Sequence, residues 1–206
     1  MRKAIFILFL VVALCPLSAK VLLYSNLGLD FMICDEKLTE DGNTYVINER
    51  ATFLSLTNDI VLLNEKIGVG FLLGLGLDAP LSCELNGVSI PTDFSDFLTN
   101  YRVGLYAVKS YDEIKYHASV GYRLAFDRDA EFISGGYATL TTLIHYADCK
   151  IGLETSFEDL AFDFGLSASI PISTSAKLEY MNESATESNT VSGVCIKPYI
   201  GLKSAF

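Results

Sequence analysis

Charge is scarce in this sequence, and long apolar runs are scarcer. Only 19% of the 206 residues are charged, while 50% are hydrophobic and mean hydropathy is +0.35. Ordinary soluble chains carry about a quarter charged residues, so the balance points toward a membrane. Yet beyond residue 20 the longest stretch without a polar or charged side chain is Ile67–Leu77, eleven residues of which four are glycine. A membrane-spanning helix needs about 20 apolar residues, which excludes a helical membrane protein. Basic clusters are also missing: 15 Lys and Arg stand against 25 Asp and Glu, a net charge of −10. Nucleic-acid binding therefore lacks its electrostatic footprint. Histidine is limited to His117 and His145, and no Cys-x-x-Cys or His/Cys spacing marks a zinc site. No metal or other cofactor is expected.

The first 19 residues carry the marks of an export signal. Arg2 and Lys3 form a basic start, Ala4–Leu17 an apolar segment, and Leu17-Ser18-Ala19 a small-residue cleavage site before Lys20. Fourteen apolar residues ending beside Pro16 are too few to span a bilayer. Val12-Ala13-Leu14-Cys15 loosely resembles a lipidation box, but the bulky Leu14 and the following Pro16 fit acylation of Cys15 poorly. The expected division is thus 1–19 as a cleaved signal peptide and 20–206 as the mature domain. Four cysteines remain after cleavage: Cys34, Cys83, Cys149 and Cys195. An even number in an exported chain permits disulfides without demanding them.

Alternation with period two fills the mature chain. Ile67, Val69, Phe71, Leu73, Leu75 and Leu77 interleave mostly with glycine; Ile114, Tyr116, Ala118, Val120, Tyr122, Leu124 and Phe126 interleave with small and polar residues; Leu160 to Ile170 does the same. These runs are about twice the five or six residues of a soluble strand and match the 9–11 of a tilted transmembrane strand. Ten strands follow: 21–33, 50–62, 67–78, 99–109, 114–126, 134–146, 150–157, 160–172, 176–181 and 193–206. The fold class is all-β, a transmembrane antiparallel up-and-down β-barrel of ten strands, with eight as the alternative. The second strand is the weakest, because Asn58 falls on the lipid face unless a bulge shifts the register.

Parity then sorts the charges. Asp30, Asp59, Asp78, Glu154, Asp163 and Glu179 all point inward, as do Arg102, Lys115, Arg123, Lys150, Lys177, Lys197 and Lys203. Lys109 points out, at a strand end where its ammonium can snorkel. A lipid-facing Arg or Lys at mid-membrane costs about 2–4 kcal/mol, which a barrel avoids by this arrangement. Tyr24, Tyr106, Tyr137 and Tyr199 are also expected inside, partly filling the lumen. Cys34 and Cys195 fall at the outer rim on the first and last strands, which closure makes neighbours; they are the disulfide candidates. Cys83 is a rival partner for either, and Cys149 should stay free. The segments 34–49, 79–98, 127–133, 158–159 and 182–192 are expected outside, holding fifteen acids against Lys37 and Arg128. A mouth of that sign favours cations at low salt.

The final strand, Val194–Phe206, alternates Val194, Ile196, Ile200 and Leu202 and ends in an aromatic, Phe206. It resembles the assembly signal of bacterial outer-membrane β-barrel proteins, although Ser204 stands where an aromatic is usual. The resemblance implies an outer-membrane location, contact with outer-membrane lipid and recognition of the C-terminal strand by the barrel-assembly machinery. A small acidic barrel without tryptophan is also similar in kind to spirochaetal small-barrel, OmpW-like proteins of unknown function. His117-Ala118-Ser119 with Glu131 resembles the His-x-Ser plus Glu arrangement of outer-membrane lipid A deacylases. Val120 stands where that family has Asn, and parity buries His117 and Ser119 in the lumen; two small polar lumen residues are the simpler reading. Two histidines leave an omptin-like protease little to work with. The expectation is no catalytic residue at all: a non-enzymatic barrel, porin-like toward small solutes or ions, with a loop-presenting surface or adhesion protein as the alternative.

Overall fold

The computed structural model describes residues 19–40, 43–94, 96–112, 114–133, 136–157, 160–180 and 183–205. The expected signal segment up to Ser18, including Cys15, and the terminal Phe206 lie outside the described residues. Nine strands are present among them: β1 (Lys20–Glu40), β2 (Asn43–Asn64), β3 (Val69–Leu85), β4 (Val88–Ile90), β5 (Leu98–Tyr111), β6 (Ile114–Ile133), β7 (Gly136–Phe157), β8 (Leu160–Tyr180) and β9 (Glu183–Ala205). All pairings are antiparallel between sequence neighbours, apart from β3 pairing with β5 and β1 with β9. The β1–β9 ladder closes the sheet into a ring. The short β4 pairs only with β3, so eight strands make the ring and the ninth is an appendage.

Ten strands become eight because two expected turns are not turns. Residues 147–149 continue β7 without a break, joining the expected strands 134–146 and 150–157. Residues 173–175 likewise lie inside β8. Ala147-Asp148-Cys149 reads as a polar interruption in sequence, yet Asp148 is buried at 7% exposure and paired inside the ring, while Cys149 faces outward. The Ser-Thr-rich stretch after Pro171 is a bulge instead of a turn: His145 faces Ser173 and Tyr146 faces Pro171, leaving Ile172 as the extra residue. Proline has no N–H to give a ladder, and a bulge absorbs that loss. A second bulge lies in β3, where Thr52 faces Ser82 and Phe53 faces Pro80, leaving Leu81 extra.

This change moves one connection. Lys20, Asn64, Tyr111 and Ile114 lie at one end of the ring, and so do Phe157 and Leu160, which pair with each other. The link 158–159 lies outside the described residues, but the strands it joins meet at this near end and not at the far one. Connections at the near end are short. At the far end the strands run on as long hairpins: Glu40 pairs with Asn43, Ile133 with Gly136 and Tyr180 with Glu183. Between β3 and β4, Asn86 (φ 51°) and Gly87 (φ 78°) form a two-residue hairpin turn with both φ positive.

The two faces of the ring are chemically distinct, as alternation requires. Outward positions are apolar and bare: Leu27, Leu29, Phe31 and Ile33 on β1, and Leu73, Leu75 and Leu77 on β3, are each 41–57% exposed. Inward positions are buried and largely polar. Asn58 does lie on the outward face, with no bulge beside it; its side-chain oxygen accepts a hydrogen bond from Ser25 Oγ at 2.8 Å on the paired position of β1. No helix among the described residues is long and apolar enough to cross a membrane.

Candidate functional site

The chemistry-bearing residues converge on the interior of the ring. Because inward positions recur every second residue, β1 delivers Tyr24, Asn26 and Asp30, β2 Ser55 and Asp59, β5 Arg102 and Tyr106, and β6 His117, Ser119 and Arg123. From the other side come Asp148, Lys150 and Glu154 on β7, Asp163, Ser167 and Ser169 on β8, and Lys197 and Tyr199 on β9. All are at most 7% exposed.

These groups pair across the interior. The Arg102 guanidinium donates to both Asp59 oxygens at 3.0 and 3.1 Å, and its Nε donates to Asp148 at 3.0 Å. A second guanidinium nitrogen, Nη2, also donates to Asp148. Ser169 Oγ donates to the other Asp148 oxygen at 2.6 Å. Lys150 Nζ lies 3.3 Å from Asp59 and 3.5 Å from Asp163, and 4.1 Å from the centre of the Tyr199 ring. With its amide turned to suit these neighbours, Asn26 bridges them, accepting from Lys150 at 2.9 Å and donating to Asp163 at 3.1 Å. Toward the far end, Arg123 donates to Asp30 at 3.0 Å and stacks on Tyr146, 4.2 Å from the ring centre. Asn100 donates to Asp78 at 2.6 Å, and Lys197 donates to Ser55 at 3.1 Å. Toward the near end, Tyr24 and Tyr106 donate to Glu154 at 2.5 and 3.1 Å, and Lys203 pairs with the other Glu154 oxygen.

Apolar layers close both ends of this network. Leu22, Val61, Leu63 and Leu72 pack around Tyr24 and Tyr106 at the near end. Met32, Ala51, Phe53 and Tyr146 pack with Cys34, Cys195 and Val191 at the far end. A cavity of about 450 Å³ opens above the latter, lined by Glu36, Glu49, Cys83, Asp96 and Asp127 over Met32, Phe53 and Ile144. Burial and the nearby Glu36 push the Glu49 carboxyl above its ordinary range, and burial does the same for Asp127. Near-end recesses of about 330 and 530 Å³ are lined by Lys20, Lys115 and Lys203, with Glu65 and Glu154 among them.

The inward charges expected from parity divide into two groups. Asp30, Asp59, Asp78, Arg102, Arg123, Lys150, Glu154, Asp163, Lys197 and Lys203 are brought together inside. Lys115, Lys177 and Glu179 are not. Lys115 sits at the near rim, and Lys177 pairs with Glu179 on the far hairpin of β8 and β9, beyond the ring interior, with side chains 47% and 45% exposed. Tyr137 is also misplaced: it is 69% exposed and packs edge-on to Phe132. The cause is the turn wrongly expected at 147–149, which let parity restart. In a continuous β7 the inward Tyr146, Asp148 and Lys150 fix the even residues inside, so Tyr137 must face out. Asp148 and Tyr146 are the functional residues that the sequence reading missed, and the same false turn hid both.

The His117, Ser119 and Glu131 arrangement does not form. His117 Nε2 instead bonds Asp163 at 2.6 Å, stacked on Tyr106. Among the described residues its Nδ1 and the Ser119 Oγ have no hydrogen-bond partner, so no hydrogen bond links the two. Glu131 is on the same strand as His117, fourteen positions along, a separation of roughly 46 Å at 3.3 Å per residue. No group of three or more potential metal-ligating side chains gathers among the described residues. Among the described residues Cys34, Cys83, Cys149 and Cys195 are unbridged.

No family model and no curated protein matches the chain. Solved structures do match it in fold. A major outer membrane protein from Thermus thermophilus aligns with TM-score 0.52 at 12% identity, covering 92% of this chain and 100% of that one. The outer membrane protease OmpT from Escherichia coli aligns with TM-score 0.49 at 12% identity, covering 93% and 99%. Neisserial surface protein A aligns with TM-score 0.44 at 14% identity, covering 89% and 97%. What this chain shares with the Thermus thermophilus outer membrane protein is the fold: an antiparallel, up-and-down sheet closed into a ring.

Proposed function

We propose that this protein is an outer-membrane β-barrel whose membrane section is a closed anchor and whose working surface is the far end. The observation that carries this reading is the filled interior. Five bases (Arg102, Arg123, Lys150, Lys197 and Lys203) and six acids (Asp30, Asp59, Asp78, Asp148, Glu154 and Asp163) are paired or hydrogen-bonded there, capped by apolar side chains. Charges packed at this density exclude a continuous water column and hold the strands to one another. Outward Leu, Ile, Val and Phe side chains supply the lipid-facing belt, and the charges kept off that belt avoid the cost of burial in hydrocarbon. Strands of 20 to 23 residues in β1, β2 and β6–β9 are about twice what a bilayer crossing needs, and the surplus builds the far hairpins. The expected outer segments, less 158–159, hold thirteen acids against Lys37 and Arg128.

The surface in this reading presents acidic hairpins to partners or divalent cations outside the cell, and no catalysis is assigned to it. The narrower resemblance to spirochaetal OmpW-like barrels rests on the acidic, tryptophan-free composition. A narrow ion path is the second reading, favoured by the recesses that face the network from both ends. Protease shaving of intact cells tests the first reading. Cleavage should be confined to the far hairpins, around 37–46, 128–139 and 177–190, while the ring stays as a protected core. Full protection of intact cells, with cleavage only after the outer membrane is opened, would place the far end inside and overturn the proposal.

A further inference from the structure

Four cysteines on an exported chain can pair in three ways, and the ring leaves one geometry. Cys149 is exposed on the outward face of β7, opposite Val120 on β6 and Ala168 on β8. The other three face inward or toward the far cavity, so Cys149 has none of them on its side of the wall. Cys83 on β3 stands opposite Ala51 on β2, which stands opposite Met32 on β1, which stands opposite Cys195 on β9. Neighbouring strands are about 4.8 Å apart, so three steps put Cys83 roughly 14 Å along the wall from Cys195. From Cys34 it is two strands across and two residues along, roughly 12 Å. Both separations exceed the roughly 7 Å between Cα atoms that a disulfide can bridge.

Cys34 and Cys195 alone occupy adjacent strands with side chains on the same face. Cys34 is opposite Gly193 and Cys195 opposite Met32, so the two are diagonal neighbours in the β1–β9 ladder. They are 5% and 2% exposed and belong to one packed cluster. One strand across and two residues along puts their Cα atoms roughly 8 Å apart, about 1 Å past that reach, so the bond has to draw the two strands slightly together at the seam. Here the residue opposite Cys34 is glycine, and its missing side chain is what brings the thiol across. A Cβ at Gly193 would stand 3.0 Å from Cys34 Sγ and 2.7 Å from Cys34 Cα, so the Cys34 thiol occupies the space a side chain there would fill. The same ladder is the seam between the first and last strands of the ring. It is also interrupted: paired positions stop at Gly28 and Tyr199 and resume at Phe31 and Ile196, beside Pro198, which has no N–H to donate.

We infer that Cys34 and Cys195 form a structural disulfide that staples the closing seam of the ring at its far end. The oxidant is a dithiol-type disulfide donor, protein or small molecule, met during export. One cysteine thiolate attacks the donor disulfide, forming a mixed disulfide and releasing one donor thiol. The second cysteine thiolate then displaces the other donor sulfur. Cys34 and Cys195 lose two protons and two electrons, and the donor leaves as two thiols. The exchange must precede closure, because neither sulfur is reachable afterward.

The test uses protein from membranes prepared without reductant, with free thiols capped by N-ethylmaleimide after denaturation, digested and mapped by mass spectrometry. The expected result is a linked pair of peptides holding Cys34 and Cys195, with Cys83 and Cys149 both capped. In the C83A/C149A variant the link should persist undiminished. In C34A, Cys195 should be recovered capped and not transferred to Cys83. Capped Cys34 and Cys195 in the unaltered protein would overturn the inference, and so would either one linked to Cys83 or Cys149. Folded protein treated with dithiothreitol should also keep the link until it is heated or denatured; ready reduction in the folded state would contradict the buried placement of the bond.

Discussion

Replacing Arg102 by leucine is the sharpest perturbation of the interior. Its side chain is 5% exposed and serves Asp59 and Asp148, whose side chains are 1% and 4% exposed. After Arg102→Leu, Asp59 keeps Lys150 at 3.3 Å, but Asp148 is left with only the hydroxyls of Ser169 at 2.6 Å and Ser167 at 3.5 Å. Breaking a buried ion pair by removing one partner costs about 3–5 kcal/mol, mostly because a charge stays buried without compensation. That is a fall of about two to three and a half decades in the folding equilibrium. The assay is urea titration of the refolded protein in lipid vesicles, read as loss of the compact, heat-modifiable gel form. Removing the stranded charges as well, in R102L/D59N/D148N, should recover more than half of the loss, because the cost lies in uncompensated charge and not in the missing side chain. Lys177→Met, at an exposed pair on the far hairpin, should leave the transition unchanged. If Arg102→Leu shifts stability by less than about 1 kcal/mol, or the triple variant is no better than the single, the interior is not held by these pairs.

Other positions give independent tests. Gly165→Val should prevent assembly of the compact form, since any Cβ there runs into the Ile151 carbonyl and the Tyr199 hydroxyl; normal heat-modifiability would refute the packing. Cys149, exposed at mid-strand on the outward face, should react in vesicles with a lipid-soluble maleimide and resist a charged one, and equal reaction with both would put that face in water. Glu49 has its carboxyl raised by burial beside Glu36, so the folded state holds that proton more tightly than the unfolded one. Its contribution is therefore most favourable at low pH and is lost as pH rises through the raised folded value. Glu49→Gln should stabilise the protein at neutral pH relative to the parent, and the difference should shrink on acidification; urea midpoints at several pH values decide it.

How much of this was legible in the sequence depends on what a period of two can encode. Alternation alone identified which face of a strand is apolar, and ten of the thirteen charges assigned inward lie in the ring interior. It could not mark where a strand runs on beyond the ring. Lys177 and Glu179 lie opposite Thr141 and Thr139, outward positions of β7, because the extra residue at Ile172 reverses the parity of β8 before its far hairpin. Nor could it distinguish a turn from a polar residue with a distant partner. Asp148 looks like a turn residue until Arg102, 46 positions earlier, is seen beside it. The pairs Asp30 with Arg123 and Asp59 with Lys150 span 93 and 91 positions, and no local pattern encodes a contact at that range. One local signal was passed over: Asn86-Gly87 is the dipeptide that a two-residue hairpin turn favours, and it sits inside the segment read as a single outer loop. The seam between β1 and β9 was foreseeable from closure alone, as was the approach of Cys34 to Cys195; the exclusion of Cys83 needed the register.

Single-channel recording in planar bilayers tests the central claim most directly. The claim is that the ring is closed by its own ion pairs and apolar caps. Protein that has passed the heat-modifiability test for correct folding should insert without producing discrete current steps at any salt concentration. Regular, ion-selective steps from that same protein would contradict the closed anchor, and a cation preference that fades with rising salt would assign control of the path to the acidic far hairpins.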